Sequence, residues 1–281
     1  MGDPLLARLR LGGVPVADYA DGSALDPALV PRPYLHPVRT LGGVVVSDAR
    51  PPDHPWHLGL GVAVPDVDGA NFWGGPTYVR GTGYVAREDH GRIVHTGFDE
   101  LDDAGFVERL HWLGAHGALL LTERRRVHVR PADGGWELEI VTDLTNAAGR
   151  TLRLGSPATN GRAGAGYGGL FWRLPPAGEV RVRTADSAGE QAVHDSVAPW
   201  LAWTDGAVTL VLAGTGTGAD TWFVRVADYP GVGLQLAARD PLLVPPGGTV
   251  TRGLRALVAD GVIGERAVHR WVCAAVVHTP R

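Results

Sequence analysis

Between Arg32 and Trp73 the chain crowds together side chains able to transfer protons and hold a polar ligand. Three of its 11 histidines, His36, His54 and His57, fall here, with Arg39, Trp56, Asn71 and Trp73 among them. Imidazole is the side chain that ordinarily changes charge near neutrality, so a histidine pair can divide the roles of acid and base. The centre of the pattern is His54-Pro55-Trp56-His57. On a regular strand, residues three apart face opposite sides and the two rings diverge. Pro55, with Pro51 and Pro52 just before it, resists regular pairing, so a bend is expected that aims both rings into one cavity. The bland alternative is a pair of packing rings hydrogen-bonded at a turn.

Other residues could complete such a site. His36 and Arg39 lie three apart; a guanidinium fork suits a carboxylate, vicinal hydroxyls or a keto oxygen, or else a salt bridge to a strand carboxylate. Asn71 and Trp73 offer an amide that reads hydroxyls and a flat apolar surface for a sugar ring. Glu123 heads Glu123-Arg124-Arg125-Arg126 and is a candidate complementary base, against the plainer reading of an exposed ion pair at a sheet edge. Tyr167 and Arg173 complete the candidate substrate contacts. No cofactor is required by this set. The alternative is one divalent metal on His36, His54 and His57, with Asp53 or Glu123 as a carboxylate and an open position for water. The spacing is not that of a strong metal motif.

These residues need a scaffold, and the pattern of the chain is that of strands. Gly (40) and Pro (21) recur as turn punctuation, which favours many short strands. Alternation at Trp136-Glu137-Leu138-Glu139-Ile140 and at Val180-Arg181-Val182-Arg183 predicts strands with unlike faces. Apolar runs at 44–46, 58–64, 118–121, 208–213, 222–226 and 250–258 predict further strands, and Asp133-Gly134-Gly135 predicts a hairpin. The segment 161–169 is too rich in glycine for a regular element and is expected to approach a ligand or another backbone closely. One helix is predicted, over 263–276, with Val268, Trp271, Val272, Ala275 and Val276 on its apolar face and Cys273 a small buried hydrophobe. The expected fold is all-β, a large antiparallel sandwich with a C-terminal helix, in a single domain over 1–281.

Composition excludes several classes. A net charge of −4 gives no basic field for nucleic acid. The chain has no lysine, so Schiff-base, lysine-base and P-loop chemistry are absent, and its single cysteine permits no intrachain disulfide. No apolar run suits a bilayer and the N-terminus lacks a signal-peptide core, so no membrane contact and a cytoplasmic location are expected. The oligomeric state stays open.

RPYLHPVRT, then DHPWHLGL, then NFWG resembles the opening signature of the bacterial PmoA-like family. GYGGLFWRL at 166–174 and the segment from TWFVR at 221–225 to Asp260-Gly261 are similar to its later blocks. The chain departs from the family pattern at Leu58, where a further histidine is usual. The family name points to a methane oxygenase, but the sequence has neither a membrane span nor the ligands of a copper subunit. The resemblance implies instead a β-supersandwich similar to galactose mutarotases, binding sugars in a groove on the sheet. It also implies a functional association with Gfo/Idh/MocA-type oxidoreductases. The expected function is therefore acid/base isomerisation or epimerisation of a sugar or oxidised sugar derivative. The alternatives are a non-catalytic carbohydrate-binding or accessory module, or a metal-dependent sugar lyase or hydratase.

Overall fold

The computed structural model describes residues 3–216 and 220–276. Two large antiparallel sheets dominate it. The first has seven strands in the order Leu5–Leu11, Val14–Ala20, Tyr34–Val38, Leu60–Ala63, Gly169–Arg173, Gly231–Gln235 and Thr221–Arg225. The second has eight, in the order Arg181–Arg183, Leu201–Thr204, Val208–Gly216, Thr249–Asp260, Gly135–Asn146, Leu119–Ala132, Gly105–Leu113 and Arg92–Leu101. The main core draws on both: Leu35, Leu60, Trp172 and Trp222 from the first sheet pack in one cluster with Trp112, Trp136, Ile140 and Leu254 from the second. The expected sandwich is the observed one.

Period-two alternation assigns the faces. In Gly135–Asn146, Trp136, Leu138 and Ile140 enter the core, while Glu137 points to the outer face of the second sheet. That outer face is covered by the predicted helix, observed as Glu265–Val276. Val268 and Trp271 pack there on Trp200, Val211 and Leu257, each such burial stabilising by about 1.5–3 kcal/mol. The Trp271 indole donates to Glu137 Oε2 at 2.7 Å, and Arg255 holds the same carboxylate. The covering helix explains why the run at 208–213 is apolar throughout: Leu210 and Leu212 face the core, Val211 and Ala213 the helix.

The hairpin forms as expected, with Ala132 paired to Gly135 across Asp133-Gly134. Two expectations fail. The run at 44–46 forms no strand: it folds back across the turn from Thr40 to Gly43 in a single bridge, Val45 to Arg39, with the Val46 amide donating to the Val38 carbonyl. Cys273 is exposed, since it lies on the opposite side of the helix from Val268 and Trp271. The Ala275 and Val276 side chains lie outside the described residues. No helix among the described residues is long and apolar enough to cross a membrane.

Candidate functional site

The outer face of the first sheet carries the site. In Gly169–Arg173, Leu170 and Trp172 enter the core, so Phe171 and Arg173 stand on the opposite face. In Thr221–Arg225, Trp222 and Val224 turn inward, leaving Phe223 and Arg225 outward. Phe171 and Phe223 cluster there with Ala63 and Trp73, and Trp56, Tyr167 and Tyr229 pack against them. Gly231, on the strand beside Phe171, leaves room for that ring: a Cβ there would sit 3.0 Å from it. The aromatic cluster walls a cavity of about 510 Å³, within the usual range for small-molecule sites.

The predicted bend exists. The His54 amide donates to the Pro51 carbonyl and the His57 amide to the His54 carbonyl, and both rings border the cavity. They stack, with centroids 4.6 Å apart and planes 12° apart. His57 is buried and also meets Trp73 edge-on at 5.6 Å, with Phe171 at 5.0 Å and Tyr229 at 5.1 Å. Burial, reinforced by His54 and the charge of Arg173, pushes its pKa down to about 2. His57 is therefore a neutral imidazole, and its Nδ1 is sealed from solvent without a hydrogen-bond partner.

His54 is held differently. Its Nδ1 lies 2.8 Å from Asp53 Oδ2, and Arg173 Nη2 lies 3.2 Å from each oxygen of the same carboxylate. Burial alone would raise the Asp53 carboxyl; the hydrogen bond from His54 and the charge of Arg173 outweigh it and hold the pKa below the ordinary value. An ionised Asp53 is an acceptor only, so it takes the hydrogen bond of Nδ1–H, and in the neutral ring this tautomer carries its lone pair on Nε2. Arg173 is buried, with its guanidinium 5.1 Å from the Tyr229 ring centroid. It is thus a support for Asp53 rather than a ligand contact, and it does not line the cavity.

Trp73 and Tyr167 stand in the cavity wall as expected. Burial and the neighbouring Tyr84 hydroxyl, 2.8 Å away, raise the Tyr167 pKa, so its phenol stays protonated. Asn71 has a different task from the one expected. Its Oδ1 accepts from the amides of Trp73 and Gly74 at 2.8 and 2.9 Å, and its amide donates to Thr77 Oγ1 at 3.0 Å. It shapes the turn that presents Trp73. Gly75 in that turn, at φ +67°, lies flat on Trp56, where a Cβ would come within 2.6 Å of the indole.

Three other candidates do not reach the cavity. His36 is tied by Nδ1 to Ser47 Oγ at 2.9 Å. Arg39 pairs with Asp18 at 3.7 Å, the salt-bridge alternative. Glu123 is neither a base nor an exposed pair. It is buried in the core, where it accepts from Arg125 Nε at 2.7 Å, Trp112 Nε1 at 2.8 Å and Thr142 Oγ1 at 2.8 Å. Its strand puts Leu121, Glu123, Arg125, Val127 and Val129 on the inward face together.

The metal alternative on His36, His54 and His57 does not fit either. Stacked rings 4.6 Å apart and 12° from parallel hold their in-plane lone pairs in separate planes that do not meet at one ion beside them, and His36 is anchored elsewhere. Among the described residues no three His, Cys, Asp or Glu side chains gather as a metal site.

Residues that sequence reasoning passed over also border the cavity, among them Tyr84, Arg162, Arg225, Asp228 and Tyr229. Tyr229 packs on both imidazoles, 4.6 Å from His54. The glycine-rich segment delivers Arg162 and Tyr167, and it does approach another backbone closely, with a Cβ on Gly166 reaching 2.7 Å from Ala238 Cα.

Among solved structures the chain is similar to a polysaccharide lyase, with 13% identity and a TM-score of 0.43 over 97% of this chain and 34% of the other. It is also similar to the GH36 α-galactosidase AgaA of Geobacillus stearothermophilus, with 12% identity and a TM-score of 0.31 over 92% and 32%. A third likeness is to the galactose 1-epimerase of Lactobacillus acidophilus NCFM, with 8% identity and a TM-score of 0.33 over 92% and 99%. The chain thus spans about a third of the first two, and likenesses this distant assign it neither substrate nor reaction. No curated protein matches the sequence. Its residues 7–272 match the model of one family, and the chain belongs to it: the family of unknown function DUF6807.

Proposed function

We propose that the cavity binds a sugar or a sugar oxidation product and isomerises it by proton transfer through His54. The observation that carries this reading is the unlike state of two stacked imidazoles at one cavity. Asp53 fixes His54 with its Nε2 lone pair free, the arrangement of a general base oriented by a carboxylate. His57 is neutral, and an unpartnered Nδ1 is less costly as a bare lone pair than as a buried N–H, so its proton belongs on Nε2. A neutral imidazole N–H can steady a developing oxyanion without giving up a full proton, as in enediol chemistry. Trp56, Trp73 and Tyr229 provide the flat apolar surfaces that sugar rings cover.

One base and one neutral donor suit proton shuttling at a single face of the substrate, that is aldose–ketose isomerisation or anomer interconversion. They suit epimerisation less, because Glu123, the candidate for the opposite face, lies in the core. The resemblance to the PmoA-like family, a cytoplasmic setting and a partnership with a Gfo/Idh/MocA-type oxidoreductase belong to this same proposal.

The test uses aldoses, ketoses and their acids in D2O, followed by NMR. The expected result is deuterium entry at the carbon beside the carbonyl, or accelerated anomer exchange, abolished in His54→Gln. A second reading, a carbohydrate-binding module without catalysis, is favoured by the aromatic wall alone. Sugars that raise the melting temperature yet show no exchange above the blank would establish that module and end the isomerase reading.

A further inference from the structure

We infer that the ligand of this cavity carries a carboxylate, seated by Arg162 and Arg225. The inference rests on the sugar-site reading and narrows its substrate class to sugar acids.

Both guanidiniums border the cavity. Arg162 Nη1 donates to the Tyr84 hydroxyl, and its guanidinium lies 4.9 Å from that ring's centroid. Arg225 Nη1 donates to the Val224 carbonyl at 2.7 Å and Nη2 to the Gly164 carbonyl at 3.1 Å, two residues beyond Arg162. The Gly164 carbonyl is also 3.0 Å from His194 Nε2, so one loop fixes both cations. Every partner is a neutral acceptor. Among the described residues neither arginine has a carboxylate within ion-pair distance, although arginines elsewhere in the chain, such as Arg125, Arg153 and Arg255, are paired. Asp228, the one carboxylate of the cavity lining among the described residues, pairs with neither.

A guanidinium offers five donors in a fixed plane, and these bonds leave most of them unused. Two oriented, unneutralised cations on an aromatic-walled cavity match one planar anion, and carboxylate is the anion whose geometry the fork fits. The aromatic and histidine side of the same cavity then faces the hydroxylated part of the ligand.

The experiment is calorimetric titration of the full chain at low salt with glucuronate, glucose and malate, repeated on the Arg162→Gln/Arg225→Gln double variant. The expected result is glucuronate binding at least about tenfold tighter than glucose, since hydrogen bonds to an ionised partner are about twice as strong as neutral ones. The preference should vanish in the double variant, whose far-UV circular dichroism should match wild type, with unliganded melting lowered only by the loss of the hydrogen bonds to Tyr84, Val224 and Gly164. Glucose and glucuronate binding equally well to wild type would overturn the carboxylate seat and leave the sugar reading intact. A preference surviving in the double variant would overturn it too. Malate binding as tightly as glucuronate, with both lost in the variant, would keep the anion seat and sink the sugar reading. No binding of any probe would overturn both.

Discussion

Lowering the pH from 7.5 to 5 should destabilise the wild-type protein more than a His57→Gln variant, by an amount that follows from one buried ring. In the folded chain, burial and the adjacent His54 and Arg173 push the His57 pKa down to about 2, whereas the unfolded value is 6.5. The folded pKa is the lower one, so the unfolded state binds the extra proton as the pH falls. The contribution is fully present above about 6.5 and declines from there toward about 2. Between pH 7.5 and 5 the loss amounts to about 2 kcal/mol. It requires only that the ring stay neutral at pH 5, not any depth below that. For a chain of this size, about 2 kcal/mol corresponds to a fall of roughly 3 °C in melting temperature. Burial also lowers the pKa of His36 and His194, but both are present in each protein and cancel in the comparison. Urea or thermal melts of the two proteins across this range provide the assay. Parallel curves would show that His57 takes up a proton in the folded cavity, and the assignment of a neutral imidazole donor would fall with them.

Three further outcomes are expected. Glu123→Gln should cost about 3–5 kcal/mol by breaking the buried pair with Arg125, while exchange activity survives at low temperature; activity loss without destabilisation would return Glu123 to the catalytic set. Asp53→Asn should cut exchange by roughly 100-fold or more, with ligand affinity within a few fold, because the charged, acceptor-only partner of His54 Nδ1 becomes a neutral amide that can present an N–H instead and so no longer fixes the tautomer; unchanged turnover would remove Asp53 from the mechanism. Asn71→Ala should lose about 1–3 kcal/mol and shift the tryptophan emission, since the turn presenting Trp73 loses its side-chain bonds; an unaltered spectrum and full affinity would count against that role.

Much of the scaffold is local in origin, and local preferences are legible in a sequence. Alternation at Trp136–Ile140, the two-residue turn at Asp133-Gly134 and the spacing of Val268 and Trp271 each decide an element without help from elsewhere. The bend at His54–His57 is of the same kind, because proline acts on the residues beside it. Glu123 was legible in part: reading every second residue from Leu121 to Val129 places a carboxylate and a guanidinium on one apolar face, where they must pair. Only the order of strands could place the rest. Pairing Gly169–Arg173 between Leu60–Ala63 and Gly231–Gln235 brings Arg173 to Asp53 and Tyr229 to the histidines across more than a hundred residues. His36 and Arg39, near the bend in the chain, are instead captured by Ser47 and Asp18. Proximity along the chain fixes backbone direction over a few residues. Which side chains share a cavity depends on long-range strand pairing and on which polar groups find partners first, and neither leaves a mark in a local window.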